Sequence, residues 1–147
     1  MRSRIIQKLD TGVDAGVSNR SSSEIFLANG TIAIGDWVQL DSTAATTDRA
    51  FKVIEASAGT ATGNPLVIGV ALSAATSGQT VRVCVAGYCA TANVDAAVAG
   101  AGVALIVDNT GAGIANAIAA ADTAPACGVS LAASAAGVAP VIVFANF

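Results

Sequence analysis

The side chains that could do chemistry are few. Histidine is absent, which removes the usual general base, the serine triad and the commonest metal ligand together. Four carboxylates form the candidate acid pairs, Asp36 with Asp41 and Asp48 with Glu55. Paired carboxylates serve hydrolysis when a cleft holds them about a bond. On this pattern they fall at turns and strand ends, where Asp is favoured for bonding nearby backbone. Ser73, Ser77, Ser130 and Ser134 have no imidazole to activate them and sit in no Gly-x-Ser-x-Gly elbow. Gly100-Ala101-Gly102 and Gly111-Ala112-Gly113 are not followed by the Lys-Ser/Thr of a phosphate loop. Asp108-Asn109-Thr110-Gly111 starts like a calcium loop but lacks its later acidic ligands. The expectation is a chain that is not an enzyme, with no catalytic, cofactor-binding or metal-binding residues.

The three cysteines, Cys84, Cys89 and Cys127, are odd in number and contain no Cys-x-x-Cys. Without His, a structural zinc site is not expected. Two readings stand. The thiols are small, reduced, partly buried residues, or Cys84 and Cys89 pair across a hairpin. A two-residue loop at Ala86-Gly87 would set Cys84 opposite Cys89 at a non-hydrogen-bonded position, about 4.5 Å apart at Cα, near the lower limit for a disulfide.

A chain of 147 residues is long enough for one self-supporting core. Hydrophobic residues make up 54% and charged residues 12%, about half the usual charge, which excludes a solvated disordered chain. The net charge of −3 argues against binding nucleic acid through phosphates. All seven Lys and Arg lie within residues 1–82, and the last 65 residues carry only Asp95, Asp108 and Asp122. That half must be buried or covered by a partner, which predicts oligomerisation or docking. Ile5-Ile6 is too short an apolar run to be the core of a signal peptide. The uncharged run Thr123–Phe147 is broken by Pro125, Gly128, Gly137 and Pro140 and predicts two strands with a turn, not a membrane span.

Residues 1–30 are polar and sparse in apolar residues, and predict an extended N-terminal arm that packs little on its own core. It is either a disordered terminus or a segment that orders on a neighbouring subunit. Beyond Gly30 the pattern is β. Thr31–Leu40 alternates, with Ile32, Ile34, Val38 and Leu40 on one parity and Trp37 on the other, interrupted at Gly35-Asp36. Trp37 is therefore a core or inter-sheet plug, or it faces a partner. Phe51–Glu55, Leu66–Leu72 and a segment beginning at Val81 give further strands, and Gly113–Ala121 is either a short helix or not.

The chain repeats itself. Ile68–Gly78 matches Cys127–Gly137 and Val81–Val85 matches Pro140–Phe144, both at an offset of 59; Gly35–Asp41 matches Gly102–Asp108 at 67. Each copy reads as Gly, strand, Asp turn, variable loop, Gly-Val-x-Leu strand, Gly turn, strand. The expected fold is all-β: a small β-barrel or sandwich of two related β units, 31–88 and 98–147, within one β domain spanning 31–147. Pro140 cannot donate to a ladder, so its strand is expected at an edge or to begin there.

Gly35-Asp36-Trp37-Val38-Gln39-Leu40-Asp41, Val67-Ile68-Gly69-Val70-Ala71-Leu72 and Ser77-Gly78-Gln79-Thr80-Val81-Arg82-Val83, followed by the weaker second copy, resemble the small capsid decoration (cement) proteins of tailed phages. The resemblance covers residues 30–147. It implies a β-rich structural virion protein, made in the host cytoplasm, that binds the outer capsid surface as a trimer and reinforces contacts between major capsid proteins. The charge, the broken C-terminal apolar run and the missing motifs predict no cofactor and neither nucleic-acid nor membrane partners. The second copy departs from the pattern at Val103-Ala104 and Pro140. The residues expected at the interface are Arg2, Arg4, Ile5, Ile6 and Lys8 in the arm, Trp37, and the terminal Phe144 and Phe147. The rival readings are another phage structural component (head fibre, tail or baseplate), a carbohydrate-binding or adhesion module, and a small hydrolase.

Overall fold

A computed structural model describes residues 21–57, 63–107, 111–120 and 122–145. Among them the chain is all-β, with nine strands and no helix. The first five are β1 (Ser22–Ala28), β2 (Trp37–Leu40), β3 (Lys52–Glu55), β4 (Val67–Ala71) and β5 (Thr80–Asn93). They run in the order β1-β3-β2-β4-β5, and β1 pairs with β5 as well, so the sheet closes into a five-stranded barrel. The pairings are antiparallel except β1 with β3, which is parallel and covers only Leu27 with Lys52 and Ala28 with Val53. The inward positions follow from period-two alternation: Phe26 and Ala28, Val38, Val53, Ile68, and Val81, Val83 and Val85 form one apolar cluster.

The remaining strands are β6 (Ala104–Ile106), β7 (Asn116–Ala117), β8 (Gly128–Ser130) and β9 (Val138–Val143). They continue from the far end of β5 in the order β9-β8-β6-β7. A second apolar cluster joins Leu105, Val107, Cys127, Val141 and Val143 to Trp37, Val67 and Val70 of the barrel. The sparsely charged C-terminal part thus covers its apolar surface partly on the barrel's outer face, through Trp37, Val67 and Val70.

The aligned repeat positions make the same bonds. Gly35 N donates to Ala71 O at 2.9 Å, and Gly102 N to Ser130 O at 2.8 Å. Ala71 N donates to Asp36 O, and Ser130 N to Val103 O, at 2.8 and 2.9 Å. Trp37 pairs with Val70 as Ala104 pairs with Val129. The correspondence extends upstream of the alignment. Asn29 N donates to Val53 O after β1, and Asp95 N to Ala115 O after β5. The end of β5 therefore serves the second sheet as β1 serves the first. Two glycines keep the repeat's close approach possible. A Cβ on Gly69 would lie 2.0 Å from the Cys84 carbonyl oxygen, and one on Gly128 would lie 2.6 Å from that of Ile142.

Several expectations need correction. The arm does not extend to residue 30: Ser22–Ala28 is a barrel strand with Phe26 and Ala28 in the core; residues 1–20 lie outside the described residues. The strand expected over Thr31–Leu40 starts only at Trp37. Gly35-Asp36 breaks the alternation, so Ile34 is 59% exposed rather than inward. Gly113–Ala120 holds β7 and no helix. Pro140 lies in β9, between β5 and β8, not at an edge. Its carbonyl accepts from Leu131 N at 2.8 Å, one residue past the end of β8, so the missing N–H falls where that strand is ending. On the other side β5 shifts register between Cys89 and Ala92, opposite Pro140.

Candidate functional site

The carboxylates regroup in the fold. Asp41 closes its turn: Oδ1 accepts from the Thr43 N–H and hydroxyl at 2.9 and 2.6 Å, and Oδ2 from the Asn29 amide at 2.6 Å. The Thr43 hydroxyl, then the Asn29 amide, hold its carboxyl below the usual range. Asp48 pairs with Lys52 at 2.9 Å. Asp36 meets Glu55 instead of Asp41. Asp36 Oδ2 accepts from Ala33 N at 2.6 Å and Oδ1 from the Asn93 amide at 2.8 Å. Burial, then the Asp36 carboxylate, push the Glu55 carboxyl up.

Between the two acids lies Gly113, whose added Cβ would come within 2.8 Å of Glu55 Oε1 and 3.1 Å of Asp36 Cγ. Gly113 O accepts from Trp37 N, and Gly113 N donates to Ala56 O, both at 2.9 Å. The Gly111–Gly113 segment is thus a strap that ties the second half to β2 and the end of β3. Its glycine admits the backbone beside two carboxyl groups. Among the described residues no group of three metal-ligating side chains gathers. The expected serines are structural where the fold binds them: Ser130 Oγ donates to Gly100 O at 2.6 Å, and Ser73 Oγ accepts from Arg82 N at 3.1 Å. A shallow groove of about 280 Å³ between Thr31–Ala33 and Ala74–Thr76 holds no titratable group.

Cys84 and Cys89 are not hairpin partners, because β5 runs straight through Ala86-Gly87. Five residues apart, they should face opposite sides of the strand. Gly87, at φ 87°, resets the alternation and returns both to one core. The Cys84 thiol faces Ala86 O at 3.6 Å and the Cys89 thiol faces Thr91 O at 3.3 Å, and the closeness of the two thiols pushes Cys84 up and draws Cys89 down. Burial pushes Cys127 up to about 12. All three are free and buried.

Of the residues expected at an interface, Arg2, Arg4, Ile5, Ile6, Lys8 and Phe147 lie outside the described residues. Trp37 is corrected: it is 0% exposed, and its indole N–H donates to Asn93 O at 3.0 Å. The partner it faces is the chain's own second half. Phe144 is 38% exposed. Residues the sequence reading missed are more exposed: Ile25 at 71% and Phe51 at 68%. They bracket the short β1–β3 junction, where Leu27 N donates to Phe51 O at 2.8 Å. Period-two alternation could have flagged Ile25 once β1 was recognised, since Phe26 and Ala28 take the inward parity. The three described cations, Arg49, Lys52 and Arg82, all belong to the barrel half. No described helix is long and apolar enough to cross a membrane.

No family model matches the chain, and no curated protein matches it. Among solved chains of similar fold are two from phages. One is the N base of the head fiber gp8.5 of bacteriophage phi29, at TM-score 0.53 and 12% identity, covering 85% of this chain and 95% of that one. The other belongs to the capsid of Myoviridae phage XM1, at TM-score 0.58 and 19% identity, covering 97% and 96%.

Proposed function

We propose that the chain is a non-enzymatic structural protein of a phage head. It binds the outside of the assembled capsid as a homotrimer and stabilises contacts between major capsid proteins. The observation that carries this reading is the fold likeness, which runs almost end to end with a chain of one phage capsid. The chemistry agrees: the carboxylates and serines described above serve turns and strand ends, and the exposed apolar residues Ile25 and Phe51 offer area to a partner. Stabilisation would come from buried area bridging capsomers, and attachment by several protomers would raise avidity. No cofactor, nucleic acid or membrane enters this mechanism. A second reading, the base of a head fibre, is favoured by the likeness to the phi29 chain.

The test is co-sedimentation with purified heads lacking the chain, combined with light scattering. Three chains of 14.3 kDa give about 43 kDa for the expected trimer. Decoration predicts a bound chain that raises the temperature at which heads open. Binding without that gain selects the fibre base, and failure to bind rejects both.

A further inference from the structure

β1 has two sides, and only one is fully used. Its partners on β5 run from Ser22 to Leu27, whereas on β3 they are only Leu27 and Ala28. Ala28 N donates to Gln79 O and accepts at its own carbonyl from Gly78 N, both at 2.8 Å, so the even residues of this stretch point their backbone groups at β5. Ser23 and Ile25 point theirs the other way. β3 would cover them if it extended upstream, but it does not. Phe51 N and Lys52 N both donate to Asp48 O at 2.9 Å, and the Lys52–Asp48 ion pair closes the same turn. That turn carries the chain away from β1 just before β3 starts. Among the described residues no strand takes this side of Ser22–Ile25, which is exposed, with the Ile25 side chain outward and Phe51 at its end.

A sheet edge with unpaired N–H and C=O groups is a template for another strand. The surroundings say what kind. Arg82 stands across from Ile25 on β5, and Arg49 and Lys52 lie close to Phe51 in the chain, Lys52 already paired with Asp48. Arg82 is exposed, and Arg49 is exposed with its Nε on Ala44 O at 3.1 Å. Glu24 is the exposed acid of the strand itself. Resting on the capsid-binding reading above, we infer that β1 is the attachment edge: an extended segment of the capsid surface, with an apolar side chain against Ile25 and Phe51 and acidic flanks, adds to it as a strand through Ser23 and Ile25.

Hydrogen exchange with mass spectrometry on free and head-bound protein tests this directly. The peptide spanning residues 21–27 should gain protection on heads. Ile25→Pro removes an outward N–H and leaves the β5 ladder intact; it should keep the thermal midpoint and lower the head-bound affinity roughly tenfold. Ile25→Lys keeps the N–H but removes the apolar contact, and should also weaken binding. If wild type does not bind heads, the functional reading fails. If wild type binds and neither variant weakens it, the edge inference alone fails. Full protection of Ser23 and Ile25 already in the free protein, or a change in solution mass on Ile25→Pro, would assign the edge to this chain's own copies and overturn the capsid segment.

Discussion

Among the described carboxyl groups, Glu55 has its ionisation opposed by the fold. Its carboxyl is raised by burial and by the Asp36 carboxylate, while Asp36 has its own two donors, Ala33 N and the Asn93 amide. A carboxyl raised on folding favours the folded state while it is protonated. That contribution is complete below the unfolded value of 4.5 and is lost as pH rises through the folded value. At neutral pH Glu55 therefore destabilises, and Glu55→Gln should raise stability there by up to about 1 kcal/mol. The gain should vanish near pH 4; thermal melts of both proteins across pH 4–8 measure it, and a constant difference would refute the pairing. Asp41 runs the other way. Its lowered carboxyl stabilises above 3.8, and that part is lost as pH falls. At the same scale, Gly69→Ala forces a Cβ against the Cys84 carbonyl oxygen and should cost about 1–3 kcal/mol. Gly100→Ala, with nothing within 4 Å of the added atom, should be close to neutral. Urea titrations of the two variants separate close approach from a general intolerance of side chains.

At the scale of elements, the sequence was readable where a local pattern and the tertiary pattern agree. The core of β3 and the start of β5 follow alternation, β4 is the fully buried run that Leu66–Leu72 reads as, and the repeat offsets of 59 and 67 land on the same bonds in both sheets. Legibility failed where a single residue resets the parity. Gly35-Asp36 turns Ile34 outward, and Gly87 turns Cys89 into the core that holds Cys84. β1 was hidden because four of its seven residues are exposed, and a strand that fills a barrel gap needs only Phe26 and Ala28 inward. Pro140 reads as an edge residue by its own chemistry, yet the end of β8 and a register shift in β5 let it sit between two strands. For the site, the carboxylates were correctly read as turn and strand-end residues. Their spatial pairing of Asp36 with Glu55 was not readable, because it follows from the β2–β3 register, which sets Val38 opposite Glu55. The exposed pair Ile25 and Phe51 was missed for the same reason as β1.

The whole molecule is built around one shared strand. β5 closes the barrel through β1 and β4, then supports β9 of the second sheet. Trp37 belongs to the barrel by backbone and to the second core by side chain: it pairs with Val70, packs near Gly128, and bonds Asn93 O and Gly113 O. Neither half can melt while the other stays native, because melting either removes strand partners of β5 and exposes Trp37. The expected behaviour is a single transition. Trp37 is the only tryptophan, so its fluorescence reports this seam without labelling. The emission maximum should shift at the same denaturant concentration as the far-ultraviolet circular dichroism. Trp37→Ala should lower stability by about 3–5 kcal/mol while keeping one transition, since β5 still joins the sheets. A fluorescence change that precedes the loss of β signal would mean that the halves separate before they unfold, and that the seam, not the shared strand, is the weaker join.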